Sequence, residues 1–110
     1  MVFVGSNIPI AFGLKSSSAV INAAVVATVN AVNVQLSVKQ ILDISTSVAM
    51  QSKISVTGAL DDATASLLGG FCITNNTQKL LLWHVPIPFE MIVLIFIPSK
   101  FKARKTVDFL

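Results

Sequence analysis

The chain is 110 residues long, a size that suits one small hydrophobic core and excludes an assembly of several domains. Eight basic against five acidic residues leave a formal charge of +3, and no repeating basic and aromatic pattern accompanies it, so a nucleic-acid surface is not indicated. Hydrophobic residues make up 54% of the chain, yet its longest apolar stretch, Ala19 to Leu36, carries Asn22, Thr28, Asn30, Asn33 and Gln35, which a bilayer core would penalise.

In chain order, Val2 to Gly5 reads as the β-branched tail of a strand that leads through Pro9 into a loop. A run rich in alanine and valine from Ser16 to about Asn33 predicts a helix buried on most of its sides. Ser37 and Gln40 have capping-box spacing, and Val38, Ile41, Leu42, Val48 and Ala49 recur at helical intervals, so a second helix is expected to about Gln51. Ile54 to Thr57 is short and extended. Asp61 to Leu68 suits a third helix, with acids in its first turn and the Gly69-Gly70 pair as its stop. Phe71 to Thr74, Lys79 to Val85 and Met91 to Ile97 are strand-like, and a turn at Asn75-Asn76 joins the first two as a hairpin. Pro86 and Pro88 interrupt the chain, and Lys100, Lys102, Arg104 and Lys105 mark a solvated helix start after Pro98. Cys72 is the sole cysteine, so no internal disulfide forms and a reduced, cytoplasmic setting is expected. The first residues lack a basic segment and include Pro9, which argues against a signal peptide. His84, beside Trp83, has no cysteine or carboxylate at ligand spacing and reads as structural, and Met50 and Met91 read as core.

Two stretches carry chemistry. In the first, Pro9 through Ala19, a glycine at Gly13 and three serines open directly onto the long apolar helix. The leading N–H groups of a helix lack intrahelical partners and lie at the positive end of its dipole, so a loop that presents them is an anion site. Gly13 permits close backbone approach and Lys15 adds a mobile cation. Ser16, Ser17 and Ser18 can cap the helix, donate to phosphate oxygens or ligate magnesium. The spacing is not the Walker pattern, and a well-capped buried helix is the plain alternative. In the second stretch, Val56 through Gly70, adjacent carboxylates at Asp61 and Asp62 follow a glycine turn, where they could equally serve as helix caps.

Together the segments GLKSSSA, Gly13 to Ala19, and TGALDDATAS, Thr57 to Ser66 followed by Gly69 and Gly70, resemble the GHMP kinase superfamily, and within it the archaeal type of shikimate kinase. The resemblance implies a two-layer α/β (α+β) fold: a partial N-terminal, ATP-binding domain over residues 1–82, and the truncated start of a C-terminal domain over 83–110. The family's first motif would lie upstream of Met1 and its third beyond Leu110, so a fragment is expected, with an unpaired sheet edge through which it would self-associate. The cofactors implied are ATP and magnesium, with Pro9, Gly13, Leu14, Lys15, Ser16, Ser17, Ser18 and Ala19 around the phosphates. Counted back from the glycine pair, Asp62 matches the catalytic aspartate of the mevalonate and galactose kinases, while Asp61 would touch substrate hydroxyls or the metal. Ser17 matches the serine that reaches magnesium. The position of the family's magnesium-binding glutamate holds Gln51, a poorer donor for a hard cation. The implied acceptor is the 3-hydroxyl of shikimate. Homoserine- or mevalonate-type kinases, and a truncated, catalytically silent chain, are the alternatives.

Overall fold

The structure, a computed structural model, describes residues 1–99. Its elements are helices α1 (Ser16–Ala31), α2 (Val38–Gln51) and α3 (Leu60–Leu68), followed by strands β1 (Phe71–Asn75) and β2 (Leu80–Val85). α1 closes through Asn33, whose left-handed φ of 54° lets the Val34 N–H donate to the Val29 carbonyl at 3.2 Å. α2 opens on the expected capping box: the Gln40 N–H donates to Ser37 Oγ at 3.3 Å and the Ser37 N–H to Gln40 Oε1 at 2.8 Å.

α3 is the hub. It packs on α1, on α2 and on the antiparallel hairpin, while α1 and α2 pack chiefly on each other and on α3. Leu42, Leu60 and Ala63 form the centre of the core, with Leu67 against them and Ile21 and Val25 also buried. Among the described residues four polar side chains are buried, Asn22, Ser45, Thr46 and Thr64, and of their polar atoms Asn22 Oδ1 and Ser45 Oγ have no hydrogen-bond partner. The Thr46 and Thr64 hydroxyls donate to carbonyls one turn back, at Leu42 (2.9 Å) and Leu60 (2.6 Å), and Asn22 Nδ2 donates across to the Ala63 carbonyl at 2.8 Å. Helices over a two-stranded sheet give the expected α/β class.

Several expectations fail on packing grounds. Val2–Gly5 and Met91–Ile97 form no strand, because a ladder needs a partner and none pairs with these segments among the described residues. α1 is not enclosed: only Ile21, Asn22 and Val25 are buried, since α2 and α3 cover one side. Between α1 and α2 on one side and the sheet on the other lies α3. Met50 and Met91 are exposed. Trp83 lies within β2 opposite Ile73. The basic cluster from Lys100 to Lys105 lies outside the described residues.

The junction between α3 and the hairpin tolerates only glycine. Gly70 has φ +68°, and a Cβ there would sit 2.5 Å from the Val85 carbonyl oxygen, so β2 itself would have to move. Gly70→Ala is expected to destabilise the chain by roughly 2 kcal/mol or more from the left-handed backbone and the clash together. Denaturant unfolding measures it, with Gly5→Ala, where a Cβ meets nothing within 4 Å, as the neutral control.

Candidate active site

The loop before α1 is built from alternating backbone handedness. Ala11, Gly13 and Lys15 have φ of 66°, 75° and 58°, while Phe12 and Leu14 between them do not share the positive φ. Alternation of this kind turns successive N–H groups toward one side and makes a concavity for an anion. Lys15 is the N-cap residue of α1 and makes no side-chain cap; the first helical bond is donated by the Ala19 N–H to the Lys15 carbonyl at 3.2 Å. Ser16, Ser17 and Ser18 are therefore the first three helical residues, with their N–H groups free of helical partners. Their hydroxyls are not spent on capping, the bland role that the sequence left open.

Across from this helix start, Asp62 in the first turn of α3 meets Lys15, Nζ to Oδ2 at 2.9 Å, with about a third of the carboxylate side chain exposed. The pair closes one side of a cleft of about 350 Å³ lined by Ile8, Leu14, Lys15, Ala19, Asp62, Ala65 and Ser66. Leu14, Lys15, Ala19 and Asp62 thus lie together in one lining. Pro9 is exposed at the mouth of the loop, and Gly13 is exposed with open space where a Cβ would be. Gln51 ends α2, exposed and away from the cleft lining. Asp61 is not in the lining either: it is exposed, and its Oδ1 accepts from Asn76 Nδ2 at 3.5 Å.

Three residues that the sequence reading gave no role stand out. Ser66 lies one turn beyond Asp62, at the i+4 spacing that shares a helix face, and that spacing was the available signal. From the hairpin turn Asn76 reaches the first residue of α3 and Lys79 the carbonyls just before that helix; the sequence placed Asn76 in a turn, but no local pattern announces either contact. His84, as expected, has a structural partner, its Nε2 lying 3.1 Å from the Gly69 carbonyl.

The sequence profile of the GHMP kinases N terminal domain matches residues 1–70, which span both halves of this cleft. The chain belongs to the GHMP kinase family. Among curated GHMP kinase relatives, the shikimate kinase of Methanothrix thermoacetophila is 43% identical over 90 residues, covering 82% of this chain and 31% of that protein. The shikimate kinase of Methanosarcina acetivorans is 44% identical over 99 residues, covering 90% and 33%, and that of Pyrococcus furiosus 38% identical over 110 residues, covering 97% and 40%. The chain thus spans about a third of the length of the first two of these relatives and 40% of the third. No solved structure matches it significantly. No helix among the described residues is long and apolar enough to cross a membrane.

Proposed function

We propose that this chain carries the phosphate-loop and acidic-helix portion of an ATP-dependent shikimate kinase of the GHMP type, acting in the cytoplasm. The observation that supports it most is the 2.9 Å contact of Lys15 with Asp62, which joins the two family motifs in one cleft. In this reading the N–H groups of Ser16, Ser17 and Ser18, with those of Gly13, Leu14 and Lys15, hold the β- and γ-phosphates. Lys15 exchanges its carboxylate partner for phosphate oxygen, and the freed Asp62 orients the acceptor hydroxyl and takes its proton as its oxygen bonds to the γ-phosphorus, while the bond from that phosphorus to the β,γ-bridging oxygen breaks and ADP leaves with the electron pair. Because phosphoryl transfer depends mainly on positioning and charge, a cleft that supplies a cation, backbone donors and one carboxylate has suitable parts for it.

Magnesium fits as a companion of the nucleotide. It would be held chiefly by phosphate oxygens and water, with few protein ligands. Ser17, in the first turn of α1, is the residue proposed to reach it; Asp61, the other proposed ligand, would first have to leave Asn76. When bound, the ion neutralises charge on the transferred phosphoryl group.

The acceptor is tested with a chimera in which this chain replaces the matching third of the Methanosarcina acetivorans relative. ATP-dependent turnover of shikimate, and not of homoserine or mevalonate, is the expected result. Turnover of either other acceptor without shikimate would overturn the substrate assignment, and the isolated chain assayed in parallel shows whether this portion works alone.

A further inference from the structure

α3 presents Asp62 but has no cap of its own, because its N-cap residue is Ala59, whose methyl group accepts nothing. The missing acceptor comes from the hairpin turn. The Leu60 N–H donates to Asn76 Oδ1 at 2.7 Å, across 16 residues of sequence, and the amide nitrogen of the same side chain donates to Asp61 Oδ1 at 3.5 Å. From three residues further on, the half-buried Lys79 Nζ donates to the Thr57 carbonyl at 3.2 Å and to the Gly58 carbonyl. The turn that offers these groups is itself braced: the Gln78 N–H donates to Asn75 Oδ1 at 3.0 Å, and Asn75 Nδ2 to Gln78 Oε1 at 3.2 Å.

We propose that the hairpin turn is a clamp on the acidic helix, in which Asn76 and Lys79 are positioning residues that fix the first turn of α3 and so the direction of Asp62 toward Lys15. Lys79 pins the two carbonyls just before the helix, and Asn76 supplies the cap. Asn76 also engages Asp61, which leaves Asp62 as the carboxylate of the adjacent pair that faces the phosphate loop. The clamp accounts for how two neighbouring acids, about 100° apart around a helix, come to face different partners. Its catalytic consequence rests on the kinase reading above; its structural part does not.

Two readouts separate these. In the isolated chain, Asn76→Ala is expected to speed amide hydrogen exchange at Leu60 about tenfold, the loss expected for a removed cap. Asn76→Asp, which keeps the acceptor oxygen, is expected to hold the exchange near its original rate. In the chimera, Asn76→Ala and Lys79→Met are each expected to lower kcat about ten- to a hundredfold through misplacement of Asp62, with KM for ATP little changed. Asn76→Asp, which keeps the cap acceptor but loses the donor to Asp61 and sets a second carboxylate against it, is expected to recover only part of the Asn76→Ala loss. Amides within α2 serve as the folding control, and Lys79→Met stands as the independent variant if Asn76→Ala loses that protection. Unchanged Leu60 exchange in Asn76→Ala would overturn the clamp. Faster exchange with unchanged kcat would reduce the contact to a structural one and overturn the positioning role. A wild-type chimera that phosphorylates none of the acceptors would sink the kinase reading, while the exchange data still decide whether the clamp exists.

Discussion

Asp62→Asn is expected to lower the phosphoryl-transfer rate of the chimera by about 10²- to 10⁴-fold, the range that a positioned general base contributes. The amide keeps the size and one oxygen of the carboxylate, so the fold should survive, but it cannot take a proton from the acceptor hydroxyl. Only part of the loss belongs to proton transfer. An amide also frees Lys15 from the 2.9 Å ion pair, so nucleotide binding should be unimpaired or tighter even as turnover collapses. That opposition of Kd and kcat is the signature to seek by calorimetry and steady-state kinetics. Asp61→Asn is the comparison. Its side chain faces Asn76 outside the cleft, and a fall in rate as large as that of Asp62→Asn would reverse the assignment of the two acids.

Lys15→Ala is expected to lower kcat/KM of the chimera by about 10²- to 10³-fold, the usual cost of deleting one donor to a developing negative charge in a preorganised site. Its cost to folding should be small, because a half-exposed ion pair is worth about 0 to 1 kcal/mol. Backbone conformation complicates the reading, since Lys15 sits at φ 58°, where alanine is strained and glycine is not. Lys15→Gly therefore removes the charge while easing the loop. If the ammonium is what matters, both variants lose activity alike and Lys15→Gly is the more stable by about 1 kcal/mol. If Lys15→Gly retains activity that Lys15→Ala loses, the residue serves through its backbone and the proposed phosphate contact is wrong. Thermal unfolding and initial rates on the three proteins give the comparison.

The helices and the chemistry were legible in the sequence to different depths, and the reasons are physical. The Ser37–Gln40 box and the hairpin turn are local devices, settled within a few residues; the box stands where the pattern put it, and the turn begins one residue later, at Asn76 to Lys79, with Asn75 still in β1. The acidic motif located α3, but not which carboxylate turns to the loop, because that depends on Lys15 and Asn76, distant in sequence and adjacent in space. A lysine at left-handed φ is likewise invisible to propensity, which disfavours it. Val2–Gly5 and Met91–Ile97 show the converse: β-branched and apolar composition indicates a capacity to pair, and whether a strand forms depends on a neighbour. The alanine-rich α1 read as enclosed because composition cannot report how many sides have something to touch.

The bonds from Asn76 to α3 bear also on the order in which the chain can assemble. They close loops of 15 and 16 residues, and those of Lys79 close loops of 21 and 22, whereas the side-chain bond from Asn22 of α1 to Ala63 closes one of 41. Chain entropy makes the Leu60–Asn76 closure cheaper than the Asn22–Ala63 closure by about 0.8 kcal/mol, and pairing of short range is the kind that forms early. The segment from Thr57 to Val85 can thus act as a local nucleus whose surface α1 then finds. On a ribosome the order runs the other way, with the loop before α1 emerging first and waiting for the Asp62 that Lys15 meets.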